Sequence, residues 1–245
     1  MKTFLYDGTF EGLLTAIYDS FYSKVPPIGI FKSENYSALL LDEIIYIETD
    51  EIKAKKVMNA IITKIDPKTL QNLYIVFLSN NKDAGTIALK YIKTAFKLGK
   101  DIHAFLNLDI VKIVEDIRRK VYLEAHRFEG FIRFSLIENK FLYSSIEPDN
   151  DILELIATHF SSRFSNEYFI IHDINREKAL IYNKRFWEIV NMTVDDYNLF
   201  KGTKDEYVDL WKCYFESTTI KERKNPKLQK RMMPLRYWKH LSEFQ

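Results

Sequence analysis

The residues best suited to chemistry crowd into Tyr122–Asp149, YLEAHRFEGFIRFSLIENKFLYSSIEPD. His126, Arg127, Glu129 and Arg133 lie there among Phe128, Phe131 and Phe134. A histidine three positions from a glutamate can form an acid–base pair, since residues three apart on a helix are neighbours. His126 with Glu129 is therefore the candidate catalytic pair, although a histidine here also suits a cap on the last helical carbonyls. Period-2 alternation places Phe131, Arg133 and Ser135 on one face of a strand. An arginine among rings on an open sheet face can hold phosphate and stack bases, while an ion pair with Glu147, Glu11 or Asp7 is the plainer reading.

A second set lies in RKNPKLQKRMMPLRYWKHL, Arg223–Leu241. The chain carries +2 overall, but Lys221–Gln245 has eight bases against two acids, a local +6, so the remainder is −4. A basic segment on a weakly acidic body favours a polyanion or an acidic partner, unless it is simply a solvated tail. The bases Arg127, Arg133, Arg223, Lys224, Lys227, Lys230, Arg231 and Arg236 are the candidate nucleic-acid contacts. Tyr237 and Trp238 are expected to dock on the body of the protein and hold this segment in place.

Common catalytic signatures are missing. There is no glycine-rich phosphate loop, no Gly-x-Ser-x-Gly elbow and no His-Glu-x-x-His. The single cysteine, Cys213, excludes an internal disulfide and any multi-cysteine metal or iron–sulfur site within one chain. Its aromatic neighbours suggest a small core residue. No cofactor and no metal are expected. MKTFLYDGTFEG lacks the apolar run of a signal peptide, and no apolar run approaches the ~20 residues of a membrane span, so a cytoplasmic protein is expected, with no membrane association.

The elements that must position these groups follow from periodicity. Residues 2–6 read as a strand, and Thr9 caps a helix with Leu13, Leu14, Ile17 and Phe21 on one side. The stretches Gly29–Phe31 and Ser37–Leu41 are ambiguous, and Ile44–Glu48 reads as a strand. Helical spacing dominates from Asp50 to Phe128, with Pro67 opening one helix and Gly99 closing another. Phe131–Ile137 and Phe141–Ile146 then read as a hairpin about Glu138-Asn139-Lys140. Asp151 and Glu154 have capping-box spacing for the next helix. A second hairpin turns at Asn175-Arg176-Glu177, and Phe186–Val190 adds a strand. Beyond Thr193 the chain reads helical, and Tyr207, Leu210, Trp211, Tyr214 and Phe215 form a stripe expected to dock.

The resulting expectation is an α+β fold, an antiparallel sheet built from hairpin–helix–hairpin units against a cluster of helices. It is read as one domain, with a helical portion over about 50–128, a sheet portion over about 129–192 and a basic helical segment over about 193–245.

Three stretches carry a family resemblance: YDGTFEGLLTAIYDSF, then HRFEGFIRF with SIEPDNDIL, then LWKCYFESTTIKERKNPKLQKRMMPLRYWKHL. Together they resemble an uncharacterised bacterial family described as DNA-metabolism or repair proteins. Its members occur beside a radical-SAM protein similar to spore photoproduct lyase, and a similar domain is fused to uracil-DNA-glycosylase-like domains. The resemblance implies an accessory protein that binds DNA, a radical-SAM partner, or both. Two alternatives stand beside it: an enzyme acting on a nucleotide or DNA lesion through His126 and a carboxylate, and a protein–protein scaffold that binds no nucleic acid.

Overall fold

A computed structural model describes residues 2–37, 43–200, 206–223 and 225–241. Within Ser37–Leu41, residues 38–41 lie outside the described residues, as does Lys224. The chain divides into two compact units, Met1–Val121 and Tyr122–Gln245.

In the first unit β1 (Lys2–Tyr6) leads into α1 (Phe10–Tyr22), followed by β2 (Gly29–Lys32) and β3 (Glu43–Tyr46). The strands form a parallel sheet in the order β2-β1-β3. Helices α2 (Glu51–Lys64), α3 (Pro67–Leu78), α4 (Ala84–Leu98) and α5 (Asp109–Phe131) follow. The division between the units falls within α5.

Local sequence explains the helix limits. Thr9 Oγ1 accepts from Gly12 N at 2.9 Å, Asp50 caps α2, and Asp66 caps α3 ahead of Pro67. Gly99, at φ 63°, ends α4 in a conformation that costs glycine little. Leu13, Leu14, Ile17, Ile61, Leu73 and Ile92 are fully buried. The outer strand β2 is tied to α4 by one side chain. Thr86 Oγ1 accepts from Ile30 N at 3.0 Å and lies 3.3 Å from Ile30 O, engaging backbone groups on the side of β2 away from β1.

In the second unit a mixed five-stranded sheet has the order β4-β5-β6-β7-β8. Its strands are β4 (Ser135–Ile137), β5 (Phe141–Ile146), β6 (Phe169–Asp173), β7 (Lys178–Tyr182) and β8 (Trp187–Asn191). Helix α6 (Leu153–Arg163) joins β5 to β6. Helices α7 (Val194–Phe200), α8 (Glu206–Thr218) and α9 (Pro226–Met232) come after the sheet. The β4–β5 turn holds Glu138 and Asn139 at φ 51° and 54°, the left-handed pair that matches the twist of a tight hairpin. Leu153, Ile156 and Phe160 of α6 pack with Phe169, Ile171 and Leu180 of the sheet.

The chain is α+β, but several details depart from expectation. The sheet is not wholly antiparallel: β5 and β6 run parallel because a helical crossover, not a tight turn, joins them. Strand β4 has only three residues, since α5 continues to Phe131. Arg133 therefore lies between helix and strand, not within a strand. Asp151 does not cap α6, whose N-cap Ile152 makes no side-chain cap; Asp151 instead pairs with Lys178 at 3.1 Å. The α8 stripe is largely solvent-facing, with Leu210 64% and Tyr214 59% exposed, and Cys213 is exposed, not core. The side chain of Tyr207 is outside the described set.

Gly85 tests the packing of α4 on β2. A Cβ there would lie 2.5 Å from Ile30 O, a backbone atom. Gly85→Ala should therefore destabilise the protein by about 1–3 kcal/mol, against the ordinary preference of helices for alanine. A thermal melt with an unchanged or raised midpoint would refute this packing.

Candidate functional site

The second unit is organised around Glu124, an acid on the buried side of α5. Ile117, Val121, Ala125 and Phe128 are buried at helical spacing, and Glu124 falls within that stripe, 5% exposed. Its carboxylate accepts four hydrogen bonds. Asp149 N donates at 2.8 Å, Asn150 N at 2.9 Å, Asn150 Nδ2 at 2.6 Å and Tyr237 Oη at 2.5 Å. A buried carboxylate persists only when its lone pairs are met this fully.

Tyr237 belongs to a 3₁₀ turn, Leu235–His240, and is 2% exposed against Phe128 and Phe131. Burial, reinforced by the Glu124 carboxylate, pushes its phenol well above the usual range. On either side of it, bases meet the acids of the SIEPD stretch. Arg236 Nη2 donates to Asp149 Oδ2 at 2.5 Å and to Tyr237 Oη at 2.9 Å. Lys239 Nζ reaches Glu147 Oε2 at 2.5 Å. His240 Nδ1 lies 3.1 Å from Ser145 Oγ, and its Nε2 lies 3.4 Å from Glu147 Oε1, an ion-pair separation without hydrogen-bond geometry. From the other direction Arg176 donates to Pro148 O and Asp149 O and pairs at 2.8 Å with Asp173. Asp173 is fully buried, and that burial raises its pKa against the lowering effect of Arg176. The 147–150 loop is thus gripped by α5, by the β6–β7 turn and by the C-terminal segment.

The candidate residues fall into separate places. His126 Nδ1 and Glu129 Oε2 are 3.0 Å apart, as i,i+3 spacing predicts, with the imidazole 81% exposed. Arg127 is half-buried on the same helix. Arg133 turns back on α5: its Nη1 donates to Gly130 O at 2.8 Å, and its guanidinium lies 5.4 Å from the Trp211 ring centre. Arg223, Lys227, Lys230 and Arg231 are exposed, whereas Arg236 is bound by Asp149. Of the two rings expected to dock, Tyr237 is buried and Trp238 is half-buried, with Nε1 donating to Met233 O at 3.0 Å. Glu124 was not among the sequence candidates. The signal for it was an acid inside an apolar helical stripe.

The second face of the sheet holds a buried histidine. His172 is wholly enclosed in β6, with Nδ1 2.9 Å from Tyr143 Oη and Nε2 3.0 Å from Met192 O. Burial lowers its pKa, against the opposing effects of Met192, Asp196 and Glu177. The neutral ring fits this setting: Nε2–H donates to the carbonyl and Nδ1 accepts from the phenol. Among the described residues no group of three or more His, Cys, Asp or Glu is arranged to hold a metal ion, and no helix is long and apolar enough to cross a membrane.

The α+β chain belongs to a recognised family. The model of a domain of unknown function, DUF4130, matches residues 82–243, which is most of the chain, and the protein is a member of that family. Neither a curated protein nor a solved structure matches it.

Two outcomes follow. Tyr237→Phe keeps the ring and removes one donor from a buried charge, so it should cost about 1.5–3 kcal/mol in denaturant unfolding. Tyr237→Ala also empties the space beside Phe128 and Phe131 and should cost about 3–5 kcal/mol. Equal losses for the two would show that the hydroxyl contributes nothing. For pH the sign is set by His172 and His240, both lowered chiefly by burial from a reference of 6.5. Their stabilising contribution is complete above that reference and is lost as pH falls below it, where the unfolded chain takes up protons first. Melting temperature should therefore fall between pH 7 and pH 5, and His172→Gln should flatten the decline. A pH-independent midpoint would contradict a neutral His172.

Proposed function

We propose that the protein is an accessory factor of DNA metabolism that binds nucleic acid through its basic C-terminal segment. The observation that carries this reading is a division of labour among the bases. Arg236 and Lys239 are taken up by Asp149 and Glu147 beside the anchored Tyr237. Lys227, Lys230 and Arg231 lie on α9 at i, i+3 and i+4, so they share one helix face; all are exposed, with no carboxylate partner among the described residues. A cationic face next to an anchored turn presents charge at a defined place, which suits a phosphodiester backbone. Arg223 extends that charge, and Arg127 and Arg133 are additional candidates. The family resemblance supports the same role and adds docking to a radical-SAM enzyme.

Fluorescence anisotropy with labelled single- and double-stranded DNA tests this. Affinity should fall as salt rises, because bound lysines and arginines displace condensed counterions. The triple variant Lys227→Ala/Lys230→Ala/Arg231→Ala should melt normally, bind more weakly and flatten the log–log salt slope by up to about three units. Absence of salt-sensitive binding would remove the DNA role and favour a scaffold, for which co-purification of the radical-SAM protein is the positive result.

A second reading rests on the 3.0 Å His126–Glu129 contact. An accessible imidazole beside a carboxylate suits proton transfer on a nucleotide or DNA lesion. His126→Ala should then abolish turnover while leaving binding intact.

A further inference from the structure

The first unit contains a cleft that the DNA reading does not use. Its walls are Tyr18, Phe21 and Tyr22 of α1, Lys56, Val57, Ala60 and Lys64 of α2, and Phe96 of α4, around about 580 Å³. That volume lies within the ~300–1,000 Å³ of small-molecule sites. Only the floor is core-like, with Val57 7% exposed, whereas Phe21 is 45% and Tyr22 74% exposed. Rings spaced i,i+4 along α1 bring Tyr18 and Tyr22 to 4.6 Å at 34°, and Phe96 meets Phe21 edge-on at 5.8 Å.

Ammonium groups rim this aromatic wall. Lys56 Nζ is 5.8 Å from the Tyr18 ring centre and Lys93 Nζ 5.9 Å from that of Phe21. Lys64 lines the cleft directly. Lys53, also 5.9 Å from Tyr18, is neutralised by Asp19 at 2.8 Å, but Lys56, Lys64 and Lys93 have no carboxylate partner among the described residues. Exposed rings beside unneutralised lysines match a ligand with two parts, a flat aromatic group to stack and an anionic group to pair.

We propose that this cleft binds a nucleotide, its base against Tyr22 and Tyr18 and its phosphate toward Lys56 and Lys64. A free nucleotide and the phosphorylated end of a nucleic-acid strand share that chemistry. The proposal stands apart from the α9 reading, because it concerns other residues in the other unit.

Calorimetric titration of the full chain with deoxyadenosine monophosphate tests it. Saturable binding is expected, with deoxyadenosine and inorganic phosphate each weaker by at least about tenfold, since each offers one of the two contacts. Tyr22→Ala should weaken the monophosphate by about tenfold. Lys56→Ala/Lys64→Ala should weaken the monophosphate and leave deoxyadenosine unchanged. The substituted residues are exposed, and melting curves confirm that the variants fold. The α9 triple variant should retain full monophosphate affinity, so the two readings fail separately. A 5′-phosphorylated hexanucleotide that binds more tightly than the monophosphate identifies a strand end; equal or weaker binding identifies a free nucleotide. Lack of saturable monophosphate binding, inorganic phosphate binding as tightly, or affinity unaffected by both variants would overturn the proposal, and an acidic peptide that alone binds the cleft would replace it.

Discussion

A carboxylate placed inside an apolar helix face must be given hydrogen bonds or lose its charge. Glu124 is given four, three from the 149–150 backbone and side chain and one from Tyr237, both outside the α-helices and strands of the second unit. The backbone of Asp149 and Asn150 lies in an irregular loop with no ladder partner. The phenol of Tyr237 lies in a six-residue 3₁₀ helix, too short to be stable in water by itself. One buried charge thus makes the position of a loop and of a terminal turn interdependent. The surface pairs Arg236–Asp149 and Lys239–Glu147 add orientation more than energy, as exposed ion pairs generally do.

Much of the architecture was legible where the governing physics is local. Thr9, Asp66-Pro67, Gly99 and the Glu138–Lys140 turn each satisfy or terminate backbone within a few residues, and all act as their types predict. Arg133 shows where such reading fails. Phe131, Arg133 and Ser135 alternate like a strand, yet Phe128 and Ile132 also fit a helical stripe. Both are buried, and Ile132 N bonds back to Phe128 O at 3.1 Å. Tertiary burial decided between two periods that the letters support equally.

The remaining differences have the same origin. Nothing in Phe141–Ile146 or Phe169–Asp173 records that these strands pair with each other in parallel, because that partnership depends on how α6 packs across them. Cys213 was expected inside because its neighbours are aromatic, but aromatic neighbours exposed to solvent do not make a core. In the C-terminal segment, residue types pointed to docking of Tyr237, which is buried. The anchoring acid went unnoticed because glutamate on a helix is ordinarily a surface residue.

Glu124 and Tyr237 are 113 positions apart along the chain. During synthesis α5 and the sheet emerge well before the phenol that completes the carboxylate's shell. At ribosomal rates of ~5–20 residues per second, that interval is several seconds, longer than helices and hairpins need to form. Until then the Glu124 carboxylate lacks one of its four donors, and water must supply it. Tyr237 is therefore the last piece added to a core whose other buried members all lie at or before Tyr182, and nascent chains should leave the Tyr237-facing sides of Phe128 and Phe131 uncovered until it docks.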